Sequence, residues 1–120
     1  MRIERIMFSE STDWRGIKLD KTATPGNLIH IALTDIDAID VVYLWAENTG
    51  SGGGTTKAVV TVEFGGVAKP ADLMVREVPL HSALRIVNGR SIKGDALEIR
   101  AFTDLSNEVN VWGYINRIYE

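Results

Sequence analysis

The stretch AVVTVEF at residues 58–64 decides the fold class, because its side chains alternate with a period of two residues. Its apolar members fall on one face of a strand: Ala58, Val60, Val62 and Phe64. Thr61 and Glu63 fall on the other face. The stretch ALEIRAF at 96–102 repeats this alternation up to its last residue. Half-buried strands of antiparallel sheets have this pattern, so both stretches predict strands with one face toward a core.

Short apolar segments bounded by Gly, Pro, Asn or Asp fill the rest of the chain, and helical periodicity is hard to find. We predict strands at residues 2–8, 16–20, 28–33, 40–48, 57–64, 73–78, 84–87, 96–103 and 107–118. Asn88-Gly89 predicts a tight hairpin turn between two apolar runs, and Gly65-Gly66 predicts another turn. Eight or nine short strands indicate an all-β fold, an antiparallel β-sandwich with jelly-roll or related Greek-key connectivity.

Length and composition indicate a single soluble domain spanning residues 1–120. Apolar residues make up 45% and charged residues 24%, which disfavours disorder and membrane residence. Cysteine is absent, so disulfides and thiolate metal sites are excluded. The net charge is −3 and the 13 Lys and Arg residues form no run, which argues against a nucleic-acid partner.

Residues 49–56 read TGSGGGTT and predict a flexible surface hairpin between the strand ending at Asn48 and the strand starting at Lys57. The glycines superficially resemble a phosphate loop. That loop requires Gly-Lys-Ser/Thr at the start of a helix, whereas Lys57 starts a predicted strand. The hairpin interpretation is therefore favoured.

No pattern in the sequence indicates a catalytic or metal site. Asp35, Asp37 and Asp40 suggest calcium ligands, but the spacing lacks the turn-forming Gly and the distal Glu of an EF-hand loop, so a solvated loop is favoured. His30 and His81, the only histidines, have no metal-ligand spacing and are interpreted as structural or surface residues. A nucleophile elbow and a distinctive carboxylate pair are absent. We predict no enzymatic activity, no cofactor and no bound metal.

Two predicted strands are apolar on both faces. In residues 41–46 and 109–115, aromatic side chains alternate with aliphatic ones. One face belongs to the core, and a neighbouring subunit can cover the other, because exposed aromatic patches are uncommon on small domains. We therefore expect homo-oligomerisation, with Tyr43, Trp112 and Tyr114 in the subunit interface.

Trp14 lies in the polar stretch at residues 9–15. An indole in this setting can cap the sandwich, anchor a protein interface or stack on a sugar ring. Capping or an interface is favoured over sugar binding.

Several segments together resemble small structural proteins of tailed bacteriophages: RGIK at 15–18, ATPGNLIH at 23–30, IDVVYLWAENT at 39–49, VEFGG at 62–66, the strand at 97–102 and NVWGYINRI at 110–118. The resemblance covers nearly the whole chain. It consists of strand and turn residues and includes no catalytic signature. The glycine-rich residues 50–54 and the charged residues 2–5 depart from the pattern.

The resemblance implies a β-sandwich that coats or cements an icosahedral head, commonly as a homotrimer at capsomer junctions. The implied partners are the major capsid protein and further copies of this chain. The implied location is the head surface of the virion, after synthesis and assembly in the host bacterial cytoplasm. Residues 1–15 are a possible N-terminal contact arm, and its expected capsid contacts are Arg2, Arg5, Trp14 and Arg15.

The leading hypothesis is a capsid decoration or cement protein without enzymatic activity. A neck, tail or baseplate component is the second hypothesis, and copy number per particle separates the two. A carbohydrate-binding adhesion module is the third, with Trp14 or Trp45 as the stacking platform. A small enzyme assembled from distant loops around His30 or His81 is the fourth, and no residue spacing supports it.

Overall fold

The computed structural model describes residues 1–35, 37–51, 56–68 and 71–119, and within these ranges the chain forms two antiparallel sheets. No helix long and apolar enough to cross a membrane occurs in these ranges. Each predicted strand overlaps one strand of the structure. The strands are β1 Arg2–Ile6, β2 Ile17–Leu19, β3 Asn27–Ile31, β4 Ala38–Asn48, β5 Ala58–Phe64, β6 Leu73–Val78, β7 Ala83–Lys93, β8 Glu98–Thr103 and β9 Val109–Tyr119.

The strand order is that of a jelly roll. The five-stranded sheet has the order β1-β9-β4-β7, with β2 also paired to β9, and the four-stranded sheet has the order β3-β8-β5-β6. Strands β1 and β2 pair with opposite halves of β9, so together they act as one interrupted edge strand. With this pair counted once, eight strands form two four-stranded layers joined by Greek-key connections. The predicted antiparallel sandwich is confirmed.

The core lies between the two sheets and contains the predicted face of β5. Ala58, Val60 and Val62 are fully buried, and Phe64 is 5% exposed. Fully burying a Val or Phe side chain contributes about 1.5–3 kcal/mol to stability. The inward residues of β4 and β9 complete this layer: Val42, Leu44, Ala46, Val109, Val111 and Ile115.

The predicted hairpin turn at Asn88-Gly89 is wrong, because both residues lie inside β7. Gly89 has a φ of 78° and is the extra residue where the pairing register with β4 shifts between Val42 and Tyr43. A bulge and a tight turn both need positive φ, so the dipeptide alone does not distinguish them.

The glycine-rich segment does not join two paired strands, so the predicted hairpin is also wrong. Asn48 ends β4 in the five-stranded sheet, and Ala58 begins β5 in the four-stranded sheet. The connection therefore crosses between the layers. Residues 52–55 lie outside the described residues, and the predicted flexibility falls on them.

The predicted N-terminal arm is partly built into the sandwich. Residues Arg2–Ile6 form β1 and pair with β9, so they are not a free extension. Phe8 follows and is buried in the core at 1% exposure, whereas Trp14 is 54% exposed. Trp14 therefore does not bury its ring over the core as a cap, and the alternative favoured beside capping, a protein interface, stays a prediction.

Gly113 permits the close approach of β9 to β4. Its φ is 153°, and a Cβ atom at this position would lie 2.0 Å from the backbone oxygen of Tyr43. We expect Gly113→Ala to lower the free energy of unfolding by at least about 2 kcal/mol, because the backbone of one strand must move. Urea unfolding followed by tryptophan fluorescence measures this change.

Gly16→Ala is the matched control for that measurement. Its Cβ atom would meet only the side chain of Asn110, with the nearest atom at 2.9 Å, and this side chain can rotate away. We expect a change within about 0.5 kcal/mol. Equal effects of the two substitutions would contradict the role given to Gly113.

Candidate functional site

Four aromatic side chains meet on the outer face of the five-stranded sheet, and we call this cluster the aromatic face: Tyr43, Trp45, Trp112 and Tyr114. They lie on the central strands β4 and β9, at positions that alternate with core residues. The antiparallel register places Tyr43 opposite Tyr114 and Trp45 opposite Trp112. Directly opposite residues in a sheet are close enough for their rings to interact.

The rings of the aromatic face stack on each other across the two strands. The Trp45 and Trp112 centroids are 5.0 Å apart with an interplanar angle of 2°, and those of Tyr43 and Tyr114 are 4.9 Å apart at 22°. Trp45 and Tyr114 also meet at 6.1 Å. All four side chains are half-buried. Such pairs contribute about 0.5–1.5 kcal/mol each beyond their buried area, so the cluster is held rigid without a partner.

Arginines flank the aromatic face on both sides. The guanidinium carbon of Arg5, on β1, lies 4.3 Å from the Tyr114 ring centroid, and that of Arg85, on β7, lies 5.7 Å from the Trp45 ring centroid. These are cation–π distances. Each ring has one face against a neighbouring ring, and Tyr114 and Trp45 also have an arginine against them, so few ring faces are left free. Sugars and nucleobases stack on free ring faces, so this geometry suits a protein partner better.

Apolar residues extend the aromatic face toward one end of the sheet. Ile3 on β1, Ile118 on β9 and Ile39 on β4 form a row across three paired strands. Ile3 is 58% exposed, which is high for a side chain of this type. Val41 fills the position between this row and Tyr43. The outer face is therefore a continuous strip with an aliphatic end and an aromatic end.

The predicted interface residues Tyr43, Trp112 and Tyr114 are brought together by the fold, and Arg5 joins them. The other predicted capsid contacts lie apart from the cluster. Arg2 stacks on Tyr119 near the end of β9, at 4.3 Å. Trp14 and Arg15 lie in the connection between β1 and β2, and the ring contacts found among the described residues do not involve them.

Trp45 and Arg85 belong to the same cluster, although the sequence-based prediction of an interface did not include them. Trp45 carries a signal, because it lies two residues after Tyr43 on the same strand and must share its face. No sequence signal identifies Arg85, because the register shifts opposite Tyr43 and Trp45 determine which residues of β7 point outward. Such bulges re-aim side chains.

A second candidate site is polar and lies inside the sandwich, and we call it the buried polar site. It joins the two layers through His30 on β3, Asp40 on β4 and Arg117 on β9. His30 Nδ1 accepts the Ser9 backbone N–H at 3.0 Å, so the ring proton is on Nε2 and is donated to Asp40 Oδ2 at 2.7 Å. Arg117 donates to both carboxylate oxygens, from Nε at 2.7 Å and from a terminal nitrogen at 2.9 Å. His30 and Asp40 are each 1% exposed.

The prediction that Asp40 belongs to a solvated loop is therefore wrong. Burial alone would raise the pKa of Asp40, but the hydrogen bonds and charge of Arg117 and the hydrogen bond from His30 outweigh it and lower that pKa. Asp35 remains exposed and accepts the Asp37 backbone N–H. In the described ranges, no group of three or more His, Cys, Asp or Glu side chains is arranged to hold a metal ion.

A cleft of about 400 Å³ lies on the outer face of the four-stranded sheet, beside Glu63 and Arg100. Glu63 is predicted to face outward, and the segment before β3 covers it so that it is 2% exposed. Its carboxylate accepts the Thr24 hydroxyl and the Gly26 backbone N–H at 2.7 Å. Arg100 donates to Glu98 and to the Gly26 carbonyl. These polar groups are engaged within the domain, so the cleft is the weaker candidate site.

The chain gives no significant match to a protein-family model, to a curated protein or to a solved structure.

The buried polar site predicts acid sensitivity. We expect Asp40→Asn to lower the free energy of unfolding at pH 7 by about 3–5 kcal/mol, because Arg117 loses its anionic partner. The folded-state pKa of Asp40 is depressed, so its contribution exists above the unfolded-state pKa and is lost as pH falls through the folded-state pKa. Urea unfolding between pH 7 and pH 3 should show the wild type and the variant converging below about pH 4.

Asp13→Asn removes an exposed carboxylate from the β1–β2 connection and serves as the control. Its unfolding free energy should stay within about 0.5 kcal/mol of the wild-type value at each pH. A gap between Asp40→Asn and the wild type that stays constant down to pH 3 would disprove the ionic role of Asp40.

The stacked tryptophans predict a measurable coupling. In a double-mutant cycle of Trp45→Ala and Trp112→Ala, we expect a coupling free energy of about 0.5–1.5 kcal/mol from urea unfolding. The control cycle pairs Trp45→Ala with Val75→Ala, because Val75 lies on β6 in the other sheet and is 48% exposed. That pair should be additive, and equal coupling in both cycles would contradict direct stacking.

Proposed function

We propose that this protein is a non-enzymatic structural protein of a tailed-bacteriophage virion. We propose more specifically that it is a capsid decoration protein, which binds the outer surface of the head and cements the junctions between capsomers. The proposal combines the sequence resemblance with one observation, the rigid aromatic face on the outside of the jelly roll. This face supports a function based on binding to protein surfaces.

The composition of the aromatic face supports that conclusion. Trp, Tyr and Arg are the residue types that contribute most binding energy in protein interfaces, and they concentrate in central, well-packed positions. Here the four rings are stacked and two arginines lie against them before any partner binds. Binding therefore costs little side-chain conformational entropy, because the rotamers are already restricted.

A decoration protein stabilises a capsid by mass action. A protein that binds the assembled lattice and not its free subunits lowers the free energy of the lattice by RT ln(1 + [L]/Kd) at each site. At a free concentration 1,000 times Kd this amounts to about 4 kcal/mol per site. A small domain without catalytic residues is sufficient for this function, provided that its binding surface is rigid.

The proposed partners are the major capsid protein and further copies of this chain, with the trimer as the preferred oligomer from the resemblance. Tyr43, Trp112 and Tyr114 are assigned to the contact between copies. Arg2, Arg5, Trp14 and Arg15 are assigned to the capsid, as surface residues at the β1–β2 edge of the sandwich. The proposed location is the head surface, after assembly in the host cytoplasm.

Two alternatives use other features of the molecule. A neck, tail or baseplate component would use the same aromatic face at a single vertex. A carbohydrate-binding adhesion module would use Trp14, whose indole is 54% exposed on the β1–β2 connection. Silence on a glycan array and unchanged tryptophan fluorescence with added sugars would argue against that module.

Copy number per particle tests the proposed function. In particles purified from the source, quantitative mass spectrometry should give a copy number equal to that of the major capsid protein or a simple fraction of it. A few copies per particle would point to the neck or tail. Complete absence from the particles would contradict the virion proposal.

Two substitutions test whether the copy number per particle depends on the proposed capsid contact. Arg15→Glu reverses an exposed charge on the β1–β2 connection, outside the aromatic face, and we expect fewer copies per particle when this variant is the only form supplied. Arg76→Glu reverses an exposed charge on β6 in the other sheet and serves as its control. The same copy number with both variants would contradict the assignment of Arg15 to the capsid contact.

A further inference from the structure

We propose that the aromatic face binds the acidic end of the next copy of this chain, so that the copies form a head-to-tail ring. The acidic end comprises three exposed aspartates on two neighbouring connections: Asp35 and Asp37 between β3 and β4, and Asp95 between β7 and β8. The inference rests on the proposed function in that it names the group that meets Tyr43, Trp112 and Tyr114.

The net charge of the outer face of the five-stranded sheet is opposite in sign to the net charge of the whole chain. The strand register places these charged residues on that face: Arg5, Lys18, Arg85, Lys93 and, as its one acidic residue, Glu47. The whole chain has a net charge of −3. With four basic residues and one acidic residue the face has a net charge of +3, whereas the remaining nine basic and fifteen acidic residues of the chain sum to −6. A positive apolar face favours a partner surface rich in carboxylates.

The acidic end offers such a surface in a fixed geometry. Gly94 N–H donates to the Ala38 carbonyl at 2.8 Å, and Ala96 N–H donates to the Leu33 carbonyl at 3.0 Å. A Cβ atom on Gly94 would lie 1.8 Å from the Asp35 backbone oxygen, so the two connections are in direct backbone contact. Residues 32–37 and 94–97 contain no Lys or Arg.

Electrostatics argues against a symmetric contact between two aromatic faces. A two-fold interface places the same patch of both copies together. Such a contact would bring Arg5 and Arg85 of one copy near the like charges of the other, and like charges in an interface are costly. A contact between two different surfaces avoids this repulsion. Repeated around an axis, it closes into a ring.

The face is large enough for a stable contact. Strands β4 and β9 have 11 residues each, which corresponds to a length of about 35 Å. Four adjacent strands span about 15 Å across the sheet. The product of these two lengths is about 500 Å², and the uneven surface of the side chains adds to it. The total approaches the roughly 800 Å² that each partner buries in a standard interface.

Complementation between two monomeric variants tests the proposal. Arg85→Glu reverses a charge on the face, and Asp95→Lys reverses a charge on the acidic end. Wild-type protein should have the mass of at least three copies of the 13.2 kDa chain by light scattering, and each variant should have the mass of one. Mixed at equal concentration, the variants should associate again in a one-to-one ratio, because the unchanged acidic end of one fits the unchanged face of the other and the two reversed charges also have opposite signs.

Arg76→Glu, at an exposed residue of β6 in the other sheet, is the matched control and should keep the wild-type mass. Urea midpoints of all three variants show whether each remains folded. A wild-type monomer or two-fold dimer would overturn the proposal, as would variants that keep the wild-type mass. Two folded, monomeric variants that remain monomeric after mixing would also overturn it.

This experiment and the copy-number measurement fail independently. A monomeric protein that coats heads at a simple fraction of the capsid copy number would overturn the ring and retain the decoration function. A ring that is absent from purified particles would overturn the decoration function and retain the contact between face and acidic end.

Discussion

The pairing of β4 with β9 is the constraint on which the rest of the structure depends. The two strands run in unbroken register from the pair Ala38 and Tyr119 to the pair Asn48 and Val109. Because successive residues point to opposite faces, this register simultaneously sets the composition of the core and of the outer face. A slip by one residue would expose the buried aliphatic residues and turn the aromatic rings inward. Stability and surface chemistry are therefore determined by the same set of hydrogen bonds.

The buried polar site fixes the second layer relative to this pair of strands. Asp40 and Arg117 are themselves partners in the β4–β9 register, and His30 reaches them from β3 in the other sheet. Aliphatic packing tolerates small sliding between layers, whereas these hydrogen bonds require one arrangement. Removing a single member leaves a charged or polar group without its partner in the interior, which costs more than an apolar deletion of similar size. The site therefore favours one packing of the sandwich over its neighbours.

The alternation of side chains was sufficient to predict the fold class, the strands and most of the aromatic face. Tyr43, Trp112 and Tyr114 follow from a period of two residues, which is a local property. Asn88-Gly89 was misread because positive φ serves a turn or a bulge, and only the pairing partner distinguishes them. The His30 and Asp40 pair was missed for a related reason. Asp40 lies on the inward positions of β4, but its partners come from distant strands that the local sequence does not specify.

The glycines and bulges of the outer sheet explain how aromatic residues on a small domain can stay ordered without a partner. Gly113 brings β9 close to β4, and the bulge at Gly89 leaves space where a Cβ atom would lie 3.2 Å from the Tyr43 hydroxyl. The rings consequently stack on one another and on arginines, with their faces partly covered. This arrangement limits the apolar area that the outer face exposes to water, and it restricts the rotamers of the four aromatic side chains within the single domain.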